Sequence, residues 1–150
     1  MTSNITNRET IRDAVAALLS SALVGSGLSV QSVYNYQVAQ FGTESPVVVV
    51  TSSGSIRSKI AQVTRTNSSV YIDIHIFVTY TATSWTEAQS EDRLDLIEKS
   101  VLDCIFDNQV NLTTWDWITQ DGRSKIDEVE IGGEFYRHEV IPLKVDLHNG

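Results

Sequence analysis

Asp73 and His75 stand two positions apart in the run SSVYIDIHIFVTYT (68–81). In a strand that spacing points both side chains to one face, where they could share a metal ion. A third ligand would have to come from His138 or His148, and no spacing ties either to the pair. A lone histidine on a strand face is usually a packing or surface residue, so no metal site is expected. Cys104 falls between Val101 and Ile105 on a helical apolar stripe, where a free thiol behaves as a small core hydrophobe rather than a nucleophile. Asp127, Glu128, Glu130 and Glu134 could be imagined as a catalytic carboxylate pair. Alternation sets Glu128 and Glu130 on one face and Asp127 on the other, and carboxylates on an exposed strand are usually just solvated. Gly25-Ser26-Gly27 follows a helix instead of a strand, the wrong context for a phosphate loop. There is no serine-centred elbow and no paired-cysteine motif. The reading is therefore no catalytic residue, no cofactor and no enzyme.

The aromatic residues point elsewhere. Tyr71, Phe77, Trp115, Trp117, Phe135 and Tyr136 exceed what a small core obviously requires. Core packing is the default for each one singly, yet Trp and Tyr are favoured interface anchors. Two Trp separated by one residue in a turn-rich stretch invite that role. Tyr71 and Phe77 flanking His75 make the second face of their strand half apolar, and such a face tends to find a partner. Trp115 or Phe77 replaced by a charged residue is expected to abolish association while leaving the fold intact.

Positioning falls to a small number of elements. The 150 residues, with 41% hydrophobic and 20% charged content, describe one ordinary globular domain spanning 1–150. No apolar run is long enough for a membrane span, and the N-terminus lacks the basic start and apolar stretch of a signal peptide. The single cysteine fits a reducing compartment, so a cytoplasmic setting is expected. The net charge of −8 argues against wrapping nucleic acid. From Glu87 to Glu134 there are 13 acidic and 4 basic residues, so the acid is concentrated in one third of the chain. That is either a solvated helix face or one acidic side suited to directional stacking or to a channel that repels DNA.

Thr6-Asn7-Arg8-Glu9 reads as a capping box for a first helix whose stripe is Ile11, Val15, Leu18, Leu19 and Ala22, ended by Gly25 and Gly27. A strand is expected over 30–36, then a fully buried one at Pro46-Val47-Val48-Val49-Val50, which lacks alternation. Thr51 to Ser58 reads as a polar loop. Ile60 and Val63 mark a third strand, which Asn67-Ser68 turns into the long alternating fourth. A second helix follows from Thr86 to Phe106, burying Leu94, Ile97, Val101 and Ile105. Two last strands, 126–131 and 139–147, flank the Gly132-Gly133 bend, and Pro142 suggests an edge or bulge for the final one. The expected order is α-β-β-β-β-α-β-β. That is an α+β fold: an antiparallel or mixed sheet with a long central hairpin and two helices packed on one face.

This layout resembles the tail terminator (tail completion) proteins of long-tailed bacteriophages. The likeness is carried by an amphipathic first helix with early Arg8 and Arg12, a strand holding Tyr34 and Tyr36, and the Pro46–Val50 strand. A polar loop, a long hairpin, the helix AQSEDRLDLIEKSVLDCIF and two closing strands complete it. It covers most of the chain as pattern and order. The resemblance implies a ring, expected to be a hexamer, that caps the major tail tube protein, stops polymerisation and receives the head-completion (connector) protein. DNA would pass through without specific binding, with Glu128 and Glu130 as lumen candidates. Candidate interface residues are Tyr71, His75, Phe77, Trp115, Trp117 and Pro142. The chain would then reside at the head–tail junction of the virion, after assembly in the host cytoplasm. The alternatives are another ring protein of the phage neck, head-completion apparatus or tail tube, a dimeric ligand-binding α+β module, and a small enzyme whose site is unrecognised.

Overall fold

A computed structural model describes residues 5–25, 30–41, 45–59, 66–79, 87–110 and 114–149. The elements in chain order are α1 (Arg8–Leu23), β1 (Ser32–Tyr34), β2 (Val47–Lys59), β3 (Thr66–Thr79), α2 (Glu87–Asp107), β4 (Trp117–Gln120), β5 (Lys125–Ile131) and β6 (Glu134–Asn149). The fold is α+β, a mixed sheet with both helices on one face. It departs from the expected order in two places. The stretch 51–58, read as a loop for its serines, continues β2, because its backbone pairs with β3 as far as Lys59↔Thr66. A β-bulge between Ser52 and Gly54 bends the strand there, with Gly54 at a φ of 143°. Asn67-Ser68 accordingly lies within β3 instead of forming a turn. The strand expected around Ile60 and Val63 lies outside the described residues. The second departure is β4, which begins at Trp117 in a stretch read as irregular.

The caps follow sequence logic with a one-residue shift. Asn7, not Thr6, is the N-cap of α1, with extended backbone (φ −67°, ψ 138°) and its side chain accepting from the Glu9 amide at 2.9 Å. Asn serves as well as Thr in this role. The α1 stripe buries Ile11, Val15, Ala16, Leu19 and Leu23, while Ala22 is exposed. Leu94, Ile97, Val101 and Ile105 form the buried stripe of α2.

The sheet order is β1-β2-β3-β6, and β6 carries two short strands end to end along its far side. There β4 pairs with 143–146 and β5 with 134–140, both antiparallel. Among the described strands only β1 and β2 pair in parallel. The long hairpin β2–β3 and the equally long β6 form the spine. Gly132 and Gly133, with φ of 60° and 85°, turn β5 into β6 as a two-residue loop that favours positive φ at both positions.

Pro142 is a correction to the edge assignment, for β6 is an interior strand. The Pro142 carbonyl accepts from Asp121 N at 2.8 Å, so the ring nitrogen points to the same side, where β4 has ended and β5 has not begun. The missing donor thus costs no bond in the ladder to β3.

Alternation sorts the strands into two faces. Val48, Val50, Ile72, Ile74, Ile76, Ile141, Leu143 and Val145 meet both helices in the main core. Val47, Val49, Phe77 and Tyr136, with Phe41, build a smaller cluster on the opposite face. The unbroken valine run is therefore buried from both sides, as its lack of alternation requires.

Candidate functional site on the second sheet face

Four side chains from four strands form a hydrogen-bonded row beside the smaller cluster. Thr51 Oγ1 lies 3.0 Å from His75 Nε2, His75 Nδ1 lies 3.0 Å from His138 Nε2, and His138 Nδ1 lies 2.8 Å from Asp127 Oδ1. Alternation places all four on one face, and pairing brings them together. Asp127 is directly opposite His138. His75 is opposite Val140 and Phe77 opposite His138, so the two histidines are diagonal neighbours, a separation that ring side chains span. Thr51 stands diagonal to His75 in the same way. The imidazole planes differ by only 2°. Phe77 stacks on His138 at a centroid distance of 4.5 Å and holds that ring in place.

The partners set the tautomers. The Asp127 carboxylate can only accept, so His138 donates from Nδ1, and in its neutral form it offers Nε2 as an acceptor. His75 then donates from Nδ1 and accepts at Nε2 from the Thr51 hydroxyl. Every donor points the same way, from hydroxyl to carboxylate. Burial against the aromatic cluster, with the neighbouring His138 adding to it and Asp127 opposing, lowers the His75 pKa from 6.5 to about 4.

A hydroxyl on an imidazole backed by a carboxylate is the geometry of an activated nucleophile. Two features weaken that use here. A ring held near 4 is a poor general base at neutral pH. Two concavities among the described residues also lie elsewhere. One is on the outer side of α2 at Gln89, Asp92, Arg93 and Leu96, and the other is a groove between the helices at Leu18, Ala22, Ser100 and Cys104. The row instead locks four strands together across the sheet.

Beyond it the face becomes polar. Asp73 sits opposite Thr51 and Pro142, and its partial burial raises its carboxyl pKa. Ser69 donates to Asp146 at 2.8 Å, and Lys144 is 3.9 Å from the same carboxylate. Thr51, Tyr71, Asp73, His75, Pro142 and Lys144 are all half-buried, and no described helix packs on this side.

Asp73 and His75 do share the face, and His138 does reach His75, but His148 is remote and bonds Asn67 Oδ1 at 2.7 Å. No group of three or more His, Cys, Asp or Glu among the described residues is arranged to hold a metal. Cys104 lies between the helices, its thiol pushed up by burial and by nearby Asp107. Two interface candidates are corrected. Phe77 and Trp115 are each only 3% exposed, the first in the smaller cluster and the second in the main core. Trp115 also donates from Nε1 to the Asn108 carbonyl at 3.0 Å, which satisfies its one polar atom. Charge at either position would break the fold, not merely an interface. Trp117 is 43% exposed. Glu128 and Glu130 stand exposed on the helix side of β5.

Sequence reading missed Thr51 and Asp127 as partners of the histidines. For Asp127 a signal existed: a two-residue loop at Gly132-Gly133 sets Asp127 against His138. The contact from His75 to His138 spans 63 residues and has no local signature. No protein-family model matches the chain, nor does any curated protein sequence.

Proposed function

We propose that this chain is a structural assembly subunit of the tail terminator kind. It would form a ring of identical copies, expected to be a hexamer, that ends a tail tube and joins it to the head connector. One observation carries the reading. The helices cover a single face of the sheet, while the other face is closed at one end by a small aromatic cluster and otherwise presents half-buried polar and aromatic side chains. Such a surface suits broad contact with protein better than enclosure of a small molecule. The row from Thr51 to Asp127 then acts as a brace that keeps this face rigid, and no catalytic role is assigned to it. The acid-rich stretch from Glu87 to Glu134 supplies like charge that keeps DNA moving past the ring. On the described residues no helix is long and apolar enough to cross a membrane.

The test is assembly in the presence and absence of the chain. Purified material, alone and mixed with tube subunits, should give closed rings seated on tube ends in electron micrographs, and tubes polymerised without it should run to uncontrolled lengths. Tubes that ignore the chain, or a purified chain that turns over a metabolite, would reject the proposal.

A further inference from the structure

The sheet ends on two edges that no described strand completes. β1 pairs only with Val47–Val49, so β2 from Val50 to Lys59 has no outer partner among the described residues. On the far side β5 pairs with β6 alone, leaving its outer side open from Lys125 to Ile131 among the described residues. Each edge offers a row of amides and carbonyls to another strand.

The two edges match in direction, face and charge. β2, β3, β6 and β5 alternate in direction, so β5 runs opposite to β2. A second copy placed alongside in the same orientation therefore brings its β2 antiparallel to β5 of the first. That contact joins two different patches and repeats head to tail, the kind that closes rings. Arg57 is opposite Ser68, which is opposite the core residue Leu147, so Arg57 lies on the helix side of the sheet. Glu128 is opposite Arg137, whose guanidinium bonds Glu91 of α2 at 2.8 and 3.3 Å, so Glu128 and Glu130 lie on that side too. The strand β2 holds Arg57 and Lys59 and no acid, whereas β5 holds Asp127, Glu128 and Glu130 against Lys125. Arg57 reaches only the Ser68 hydroxyl at 3.4 Å, and among the described residues neither it nor Glu128 nor Glu130 is in an ion pair. Setting Glu130 against Arg57 places Glu128 against Lys59 and Ile131 against Ile56, which is 64% exposed on the other face. The bulge at Ser52 and Gly54 bends β2 and confines the pairing to its distal part.

We propose that β5 of one copy pairs antiparallel with the distal half of β2 of the next, Glu130 meeting Arg57 and Ile131 meeting Ile56, so that the sheet runs continuously from copy to copy. It rests on the assembly reading for the ring, and it moves Glu128 and Glu130 from a lumen to a joint.

The full chain is followed by sedimentation velocity and native mass spectrometry up to millimolar concentration. Arg57→Glu and Glu130→Arg should each weaken self-association about tenfold, the sum of a lost attraction and a new repulsion. Both changes in one chain should restore it, and so should an equimolar mixture of the two single variants, whose charges complement when they alternate. Should either variant unfold, Arg57→Cys combined with Glu130→Cys provides the second test. Under mild oxidation that chain should give a ladder of covalent multimers, whereas buried Cys104 alone should not. A monomeric wild type, self-association indifferent to both reversals, or a missing ladder would each overturn the edge pairing. Rings that form through these edges yet never engage a tube would instead reject the tail assignment and leave the pairing intact.

Discussion

His75 is the residue whose titration most directly tests the row on the second sheet face. Its folded pKa of about 4 lies below the ordinary 6.5 because burial beside Phe77 and His138 disfavours the imidazolium. The sign of the stability effect follows. Between those two values the unfolded chain binds a proton that the folded one refuses, so stability rises with pH across this window. The contribution is complete above about 6.5 and is lost as pH falls through about 4. At about 1.4 kcal/mol per pH unit the displacement from 6.5 to about 4 amounts to at most about 3.5 kcal/mol, and solvent screening of a half-buried ring reduces this to about 1–2 kcal/mol.

The perturbation is His75→Gln, whose amide can accept from Thr51 and donate to His138 without titrating. Urea unfolding of wild type and variant at a series of pH values isolates the term, since the carboxylates common to both cancel in the difference. The wild type should lose about 1–2 kcal/mol more than the variant between pH 7 and pH 4.5. Nitrogen-15 spectra supply the direct readout: His75 should be protonated at Nδ1 alone at neutral pH and should resist protonation until well below 6.5. A ring that titrates near 6.5, or equal pH slopes for the two proteins, would refute the reasoning and with it the one-directional row.

Trp115→Ala should cost about 3–5 kcal/mol in chemical denaturation, as a large aromatic removed from the core, whereas Trp117→Ala at a 43% exposed site should cost well under half as much. Glu139 is buried on the helix side, where burial outweighs the hydrogen bond from Ser124 at 2.7 Å and nearby Glu98, Asp95 and Glu91 add to the upward pKa shift. Its raised pKa means that the folded state resists ionisation, so stability is lost as pH rises above the ordinary carboxyl range. Glu139→Gln should therefore raise the melting temperature at pH 7 and confer no such gain near pH 4. Asn7→Ala removes the cap on Glu9 N and should destabilise by about 1 kcal/mol, measurable by thermal unfolding, while Thr6→Ala should cost less.

What the residues determine by themselves is local. The 3.6-residue stripe of α2 and the strict alternation of β3 specify which side of each element is apolar, because a slip would bury charge. The valine run declares a strand buried twice, and Gly132-Gly133 declares a hairpin whose arithmetic already couples Asp127 to His138. Cap and turn chemistry acts over a few residues, so it can be read within a residue or so of its true position, as at Thr6 and Asn7. The polar stretch 51–58 defeats the same reasoning, because its strand character comes from pairing with β3 and not from its own side chains. The tertiary structure alone decided that Trp115 and Phe77 are core, that Pro142 fills a gap between two short strands, and that His75 meets His138 across 63 residues. Each depends on which strands become neighbours and in what register. That choice is made by burial summed over the whole sheet, and no single segment carries a record of it.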